Sequence, residues 1–288
     1  PVQIALEQAA TPATILALPV AAGGPEGSVV IDMTAVFADE VAEFSASGNL
    51  GLAGVEVIGT APDRSYVEAM RVFPENVDVT SHLTFLRAPD PTIFLSPEGP
   101  PSAASVQVRH NITLLPDEPM MPRNFDPRIG YFKVGFDDYS GETANGVVSR
   151  QFINRYRLVK QDPDAEISDP VEPIVYYIAP EVPDKWRPYF KQAVEDWQIA
   201  FEEAGFSNAI IALDTPTPAQ DPDWSPYDTR HSVIRWLAQP IANAMGPNIH
   251  DPRTGEILAA HVLIWADVLE LAQHWYFLQA SSIDEDAR

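Results

Sequence analysis

Chemistry in this chain would have to come from its histidines and carboxylates. Six histidines, His82, His110, His231, His250, His261 and His274, are spread over 288 residues, and no two are three to five apart. A metal-binding pair on one helix face needs that spacing. No histidine is followed by Glu, and there is no cysteine at all. Disulfides, thiol catalysis, iron–sulfur clusters and thiolate zinc sites are therefore excluded. A zinc site made by this chain alone would need ligands gathered from distant segments. His110 falls on the apolar face of an alternating strand and His261 lies inside an apolar strand. Both read as hydrogen-bonded core histidines.

The carboxylates are abundant, so no acid–base pair stands out. Asp251, Thr254 and Glu256 gather oxygens in the turn DPRTGE, a candidate calcium loop without the full EF-hand spacing. Asp126 and Asp251 each open an Asp-Pro-Arg, and Asp223 precedes Trp224 in a Pro-bounded loop. Turn chemistry accounts for all three. Glu195/Asp196 and Glu202/Glu203 lie opposite an apolar helical stripe and read as a solvated face. There is no phosphate-cradling Gly loop, no G-x-S-x-G and no basic patch. Residue chemistry alone gives no complete active site.

The elements that would position these residues fall into two textures. Hydrophobic residues make up 45% of the chain and charged residues 20%, the balance of a globular protein rather than a disordered one. The length suits about two domains. The 28 prolines, about twice the average share, favour strands and loops over long helices. Eighteen basic against 41 acidic residues leave a net charge of −23. That field repels phosphates, which argues against nucleic acid and anionic membrane surfaces as partners. No run of 18 apolar residues exists to span a bilayer. Pro1–Ala22 is apolar-rich but has no basic n-region, so it does not read as a signal peptide.

Residues 1–160 read as a β-rich antiparallel domain. Asn76–Leu86 alternates cleanly, with Val77, Val79, Ser81, Leu83 and Phe85 on one face and Asp78, Thr80, His82 and Thr84 on the other. Val106, Val108, Ile112 and Leu114 repeat the pattern. Period 2 at this length predicts half-buried strands with one wet face. Ser28–Met33, Tyr66–Val72 and Val147–Leu158 are shorter candidates, and Ala88–Ser102 is a Pro-rich link. Gln161–Pro173, polar with Pro at both ends, reads as a linker. From Ile174 the order becomes strand (Ile174–Ile178), helix, strands (Ala209–Leu213, Ser232–Trp236, Ile257–Trp265), helix (Ala266–Ala280). A β-α-β start predicts parallel pairing. Trp186, Phe190, Val194, Trp197, Phe201 and Ala204 make one apolar stripe, so one long helix should lay all of its large residues on the sheet. Asp184 reads as its N-cap and Gly205 as its stop. The fold class is α+β: a β-rich antiparallel N-terminal domain, then an α/β unit over 174–288 with a mixed sheet and one long helix.

The phrases EPIVYYIAPEVPDKWRPYFKQAVEDWQIAFEEAGFSNAIIALD, DPDWSPYDTRHSVIRWL, DPRTGEIL and WYFLQA resemble the large bacterial zinc-dependent metalloproteases of the met-zincin type. RSYVEAMRVFPENVDV, FDPRIGYF and FINRYRL resemble the domain of unknown function that precedes the protease domain in that family. The resemblance covers roughly Asp63 to Ala280. It implies a metzincin-like catalytic domain, cut short before the helix that carries H-E-x-x-H. Peptide hydrolysis by zinc-activated water would then belong to the full-length protein, with a peptide or protein substrate and a periplasmic or secreted setting. None of the family's zinc ligands has a counterpart here, so this chain is expected to be inactive and free of zinc. The resemblance also implies an antiparallel border strand that pairs with substrate. By strand count this is Ile257–Trp265, with Leu258, Ala259, Ala260, His261 and Val262 facing the cleft. A bare border over an uncovered groove predicts self-association through that strand. An interior position, paired on both sides within one chain, would make the metzincin reading of this unit wrong. The alternative is a non-catalytic binding or scaffolding module that keeps the same architecture.

Overall fold

The computed structural model describes residues 14, 16–52, 56–88, 102–139, 147–239 and 241–287. The chain is β-rich with antiparallel sheets and few helices, an α+β composition. Pro1–Leu114 and Leu115–Arg288 form two compact units. The division falls ahead of Gln161–Pro173, which is built into the second unit rather than linking two. Bridges Lys160↔Pro170 and Ser168↔Phe206 fasten that segment, and the Lys160 ammonium donates to the carbonyls of Ala165 and Glu166 at 2.8 Å each. Its prolines and polar residues shape turns whose backbone groups find partners, which a linker does not need. Most of the Ala88–Ser102 link and the first part of Pro1–Ala22 lie outside the described residues.

In the N-terminal unit a hairpin, β1 (Val20–Gly23) and β2 (Val29–Ile31), and two short helices, α1 (Thr34–Phe37) and α2 (Ser47–Leu52), precede an antiparallel sheet of β3 (Val57–Thr60), β4 (Tyr66–Val72), β5 (Asn76–Arg87) and β6 (Ser102–Thr113). β6 pairs along all of β5, while β4 and β3 share its other side. Val36 and Phe37 close over Val79, and Ala46 packs with Leu83 and Phe85. β5 was expected to keep one wet face, yet Asp78, Thr80 and Thr84 are buried as well. A strand flanked along its length on both sides has its polar row covered by its neighbours' side chains.

The second unit opens with the hairpin β7 (Lys133–Asp138) and β8 (Val148–Ile153). The strand expected to reach Leu158 stops at Ile153. A mixed sheet follows: β9 (Ile174–Ile178), β10 (Ile210–Asp214), β11 (Ser232–Leu237), β12 (Ala244–Met245), β13 (Asn248–His250) and β14 (Ile257–Trp265). β10, β9, β11 and β14 lie side by side in that order and run parallel, and β12 and β13 pair antiparallel with β14. Ile257–Trp265 is therefore not the border. It pairs with β11 over His261–Trp265 and with β12 and β13 on its other side. The strand count failed because the true border is broken by Gly246–Pro247 into two pieces too short to show a period. Self-association through Ile257–Trp265 loses its premise of a bare border, since β12 and β13 lie along one side and β11 pairs the other over His261–Trp265.

The long helix is two, α3 (Arg187–Glu195) and α4 (Gln198–Glu203). The ladder tightens between them, with Trp197 N bonding Val194 O and Ala200 N bonding Trp197 O. Pro188 sits in the first turn, where its missing N–H costs nothing. Asp184 does not cap: the N-cap is Trp186, without a side-chain bond. Gly205 ends the helix with φ +89°, a conformation glycine adopts freely. Val194 is buried, and Trp186, Phe190 and Phe201 pack against Ile174, Ile178, Ile210 and Ile234. Trp197 does not join them and is 63% exposed. A last helix, α5 (Val268–Ala280), buries none of its residues. Among the described residues no helix is long and apolar enough to cross a membrane.

Candidate functional site at the border of the C-terminal sheet

The segment Ala244–His250 forms the outer rim of the mixed sheet. His261 N donates to Pro247 O at 2.9 Å and Trp265 N to Asn243 O at 3.3 Å, which fixes the rim to β14. Ala244 and Met245 are exposed, and no strand among the described residues pairs on the outer side of β12 or β13. Unpaired N–H and C=O groups in a row can accept an added extended strand. The residues assigned to this role by strand count lie one strand further in. Ala259 and Ala260 are buried, and Leu258, His261 and Val262 are half-buried. Ala260 N is held by Ser232 Oγ at 3.0 Å.

A polar cluster flanks the rim. His250 Nδ1 lies 3.0 Å from Asn248 Oδ1, and Asn154 Nδ2 lies 3.4 Å from both. Asn154 Oδ1 is buried with no hydrogen-bond partner. Asn154 reaches this place because it directly follows β8, where its N–H donates to Phe132 O at 2.8 Å. Nothing in the sequence pairs residue 154 with residues 94 and 96 positions away.

The turn Asp251–Glu256 does not offer a calcium ligand set. Asp251 is fully buried, and its carboxylate accepts from Arg253 N at 2.8 Å, Nε at 3.0 Å and Nη2 at 2.7 Å. Those bonds hold its carboxyl below the usual range, against the opposing effect of burial. Glu256 accepts from Arg157 Nε at 2.6 Å and Nη2 at 2.7 Å. Thr254 Oγ1 accepts from Glu256 N at 3.2 Å. The oxygens counted for calcium are thus directed at arginines and backbone. The same clamp recurs at Asp126–Arg128 and at Asp228–Arg230. The third lacks the proline of the other two, and only the shared Asp-x-Arg spacing could have revealed it. In the neighbouring loop it is Asp221, not Asp223, whose carboxylate accepts the turn N–H, from Asp223 at 3.1 Å.

The histidines are not brought together. His110 Nε2 lies 3.1 Å from Phe44 O between the rings of Phe37 and Phe44, the core role expected of it. His82 stacks on Tyr66 and lies 3.0 Å from Glu68 Oε2. His231 stacks on Trp224, its Nδ1 2.9 Å from Ser225 O. Among the described residues no three His, Asp or Glu side chains converge on a point that could hold a metal. Among the described residues the side chains present do not fit a zinc ion.

Across the sheet face under α3 and α4 runs an apolar groove of about 500 Å³. Its lining is largely core: Ile174, Val194, Ile210 and Ile234 are buried, Val262 and Ile264 pack against them, and Trp197 stands at the rim. That rim position is why Trp197 stays exposed. Tyr156 and Tyr176 meet at one end, hydroxyl to hydroxyl at 3.0 Å. Burial raises both phenols, so both stay neutral.

Residues 1–161 match the model of a family described as a domain of unknown function, DUF5117. No curated protein and no solved structure matches the chain. The matched stretch runs past the end of the first compact unit at Leu114. Its last part supplies β7, β8 and the Arg155–Arg157 segment to the second.

Proposed function

Because the chain belongs to the DUF5117 family, whose function is unknown, we propose a reading drawn from the C-terminal unit: it is the substrate-aligning sheet of a zinc-dependent metallopeptidase. Its own task is to hold an extended peptide by the backbone along Ala244–His250. Catalysis belongs to an H-E-x-x-H helix that these 288 residues do not contain. The strand order first expected of a metzincin fails, because Ile257–Trp265 lies inside the sheet; what supports the reading is the antiparallel border that Ala244–His250 adds to an otherwise parallel sheet. Its place one strand earlier than counted moves the substrate contact from Leu258–Val262 to Ala244–His250. The polar cluster of Asn154, Asn248 and His250 then stands beside the peptide, suited to its amide groups. A periplasmic or secreted setting goes with the same resemblance.

The test uses the polypeptide in which the organism carries this chain. Zinc content by mass spectrometry is measured beside cleavage of an unfolded protein substrate, with and without chelator. One zinc per chain with chelator-sensitive cleavage supports the reading. A metal-free polypeptide that binds peptide and never cleaves it would replace it with the scaffolding alternative.

A further inference from the structure

We propose that one face of the β7–β8 hairpin, with Arg123, Lys133 and Arg155, binds an oxyanion carrying two negative charges: a phosphate group or a pair of carboxylates. This does not rest on the peptidase reading.

Strand register gathers the three cations from separate stretches of sequence. Lys133 pairs with Ile153 across the hairpin. On the other side of β8, Asn124 bridges Phe152, and Ile153 N donates to Arg123 O at 3.0 Å. Lys133 and Arg123 therefore flank Ile153 on one face, with their Cα atoms two strand spacings, about 10 Å, apart. Side chains of that length can meet on one anion between them. Phe125 and Gln151 share the face, because residues two apart on a strand do. Lys133 Nζ lies 4.3 Å from the centre of the Phe125 ring and 2.9 Å from Gln151 Oε1. Arg155, two residues past Ile153, reaches the row of Arg123, where its Nη2 donates to Met121 O at 2.7 Å.

A counter-charge is missing. Carboxylates outnumber cations 41 to 18 in the chain, and Arg128, Arg150, Arg157 and Arg253 of the same unit each hold one within 2.7 Å. Among the described residues no carboxylate forms an ion pair with Arg123, Lys133 or Arg155. Asp137 shares the face but stands four residues along β7 from Lys133, about 13 Å away. Arg155 Nε is buried with no hydrogen-bond partner, and a buried donor of that kind calls for a partner from outside the chain. Burial and then the charge of Arg123 both work against the Arg155 cation. An oxyanion relieves that repulsion and accepts the charge-assisted bonds that guanidinium and ammonium groups supply.

Calorimetric titration of the intact chain with inorganic phosphate, and separately with succinate, tests this. One anion should bind per chain, and the tighter of the two identifies the source. Arg123→Gln and Lys133→Gln should each weaken binding about tenfold, the loss of one charge-assisted bond. Arg128→Gln removes a cation already clamped to Asp126 and should leave the affinity unchanged. Without anion, Arg123→Gln should melt no lower than wild type, because it removes a repelling charge; in phosphate it should melt lower. No heat and no melting shift with either anion overturns the proposal. Binding that survives both Arg123→Gln and Lys133→Gln overturns it, and so does binding that Arg128→Gln weakens equally.

Discussion

Asp78 in the N-terminal sheet and Asp251 in the C-terminal unit are equally shut off from solvent, at 1% and 0% exposure, yet their carboxyls move in opposite directions. Asp251 is clamped by an arginine two residues away through a main-chain bond and a two-pronged guanidinium. Its carboxyl is held low. Asp78 lies between Arg71 and Arg109 on the strands either side, at 3.5 and 3.6 Å. Burial pushes it up, ahead of the pull of Arg109 and Arg71. A partner supplied by a local turn arrives at bonding distance because the turn sets the geometry. Partners supplied across a sheet arrive where the strand register leaves them.

The sharpest way to break this comparison is to remove the clamp. Asp251→Ala removes a fully buried carboxylate and leaves a turn N–H and the half-exposed Arg253 guanidinium without their acceptor, and should cost about 3 kcal/mol. Urea unfolding followed by hydrogen exchange separates the two units, and the loss should appear only in the second. A loss under 1 kcal/mol would mean that the clamp is ornamental. Gly255→Ala comes next. Gly255 has φ +76°, and an added Cβ would stand 2.3 Å from Ile153 O. The left-handed backbone and the displaced strand end together should cost about 2–3 kcal/mol in the same assay.

Asp78→Asn should cost within about 1 kcal/mol of nothing at neutral pH, since it removes a charge that burial disfavours. The pH dependence gives the finest distinction. A lowered carboxyl stabilises the fold above the unfolded Asp value of about 3.9 and loses that contribution as pH falls through its folded value. A raised carboxyl does the reverse, so its penalty is present at neutral pH and fades as pH falls through the folded value. Acidifying from neutrality should therefore shrink the difference between Asp78→Asn and wild type in the protection of β5. The Asp251 turn should hold until the pH is below about 4. Parallel behaviour of the two regions would erase the contrast.

The same contrast marks how far the sequence could be read. Asx turns at Asp126 and Asp251 were legible, because spacing and turn chemistry are local. So were Tyr66–Val72, Ile174–Ile178 and Ile257–Trp265, which carry clear apolar patterns and appear with those bounds. The neighbours of Ile257–Trp265 were not legible, because Gly246–Pro247 hides two short strands. Trp197 obeys the helical stripe and still misses the core, since the stripe says which face a residue takes and not whether sheet or groove lies beneath it. That Glu256 is engaged by an arginine was not legible, because Arg157 sits 99 residues from it. The cluster of Asn154, Asn248 and His250 left no local signal for the same reason.

The border at Ala244–His250 is where the proposed function meets the fold, and amide hydrogen exchange on the intact chain with an excess of extended, capped peptide tests it most directly. Strand addition should slow exchange at Ala244–His250 and leave Ile257–Trp265 unchanged, because β12 and β13 already line the side of that strand that faces the border. Unchanged exchange along Ala244–His250, or new protection confined to Ile257–Trp265, would contradict the account.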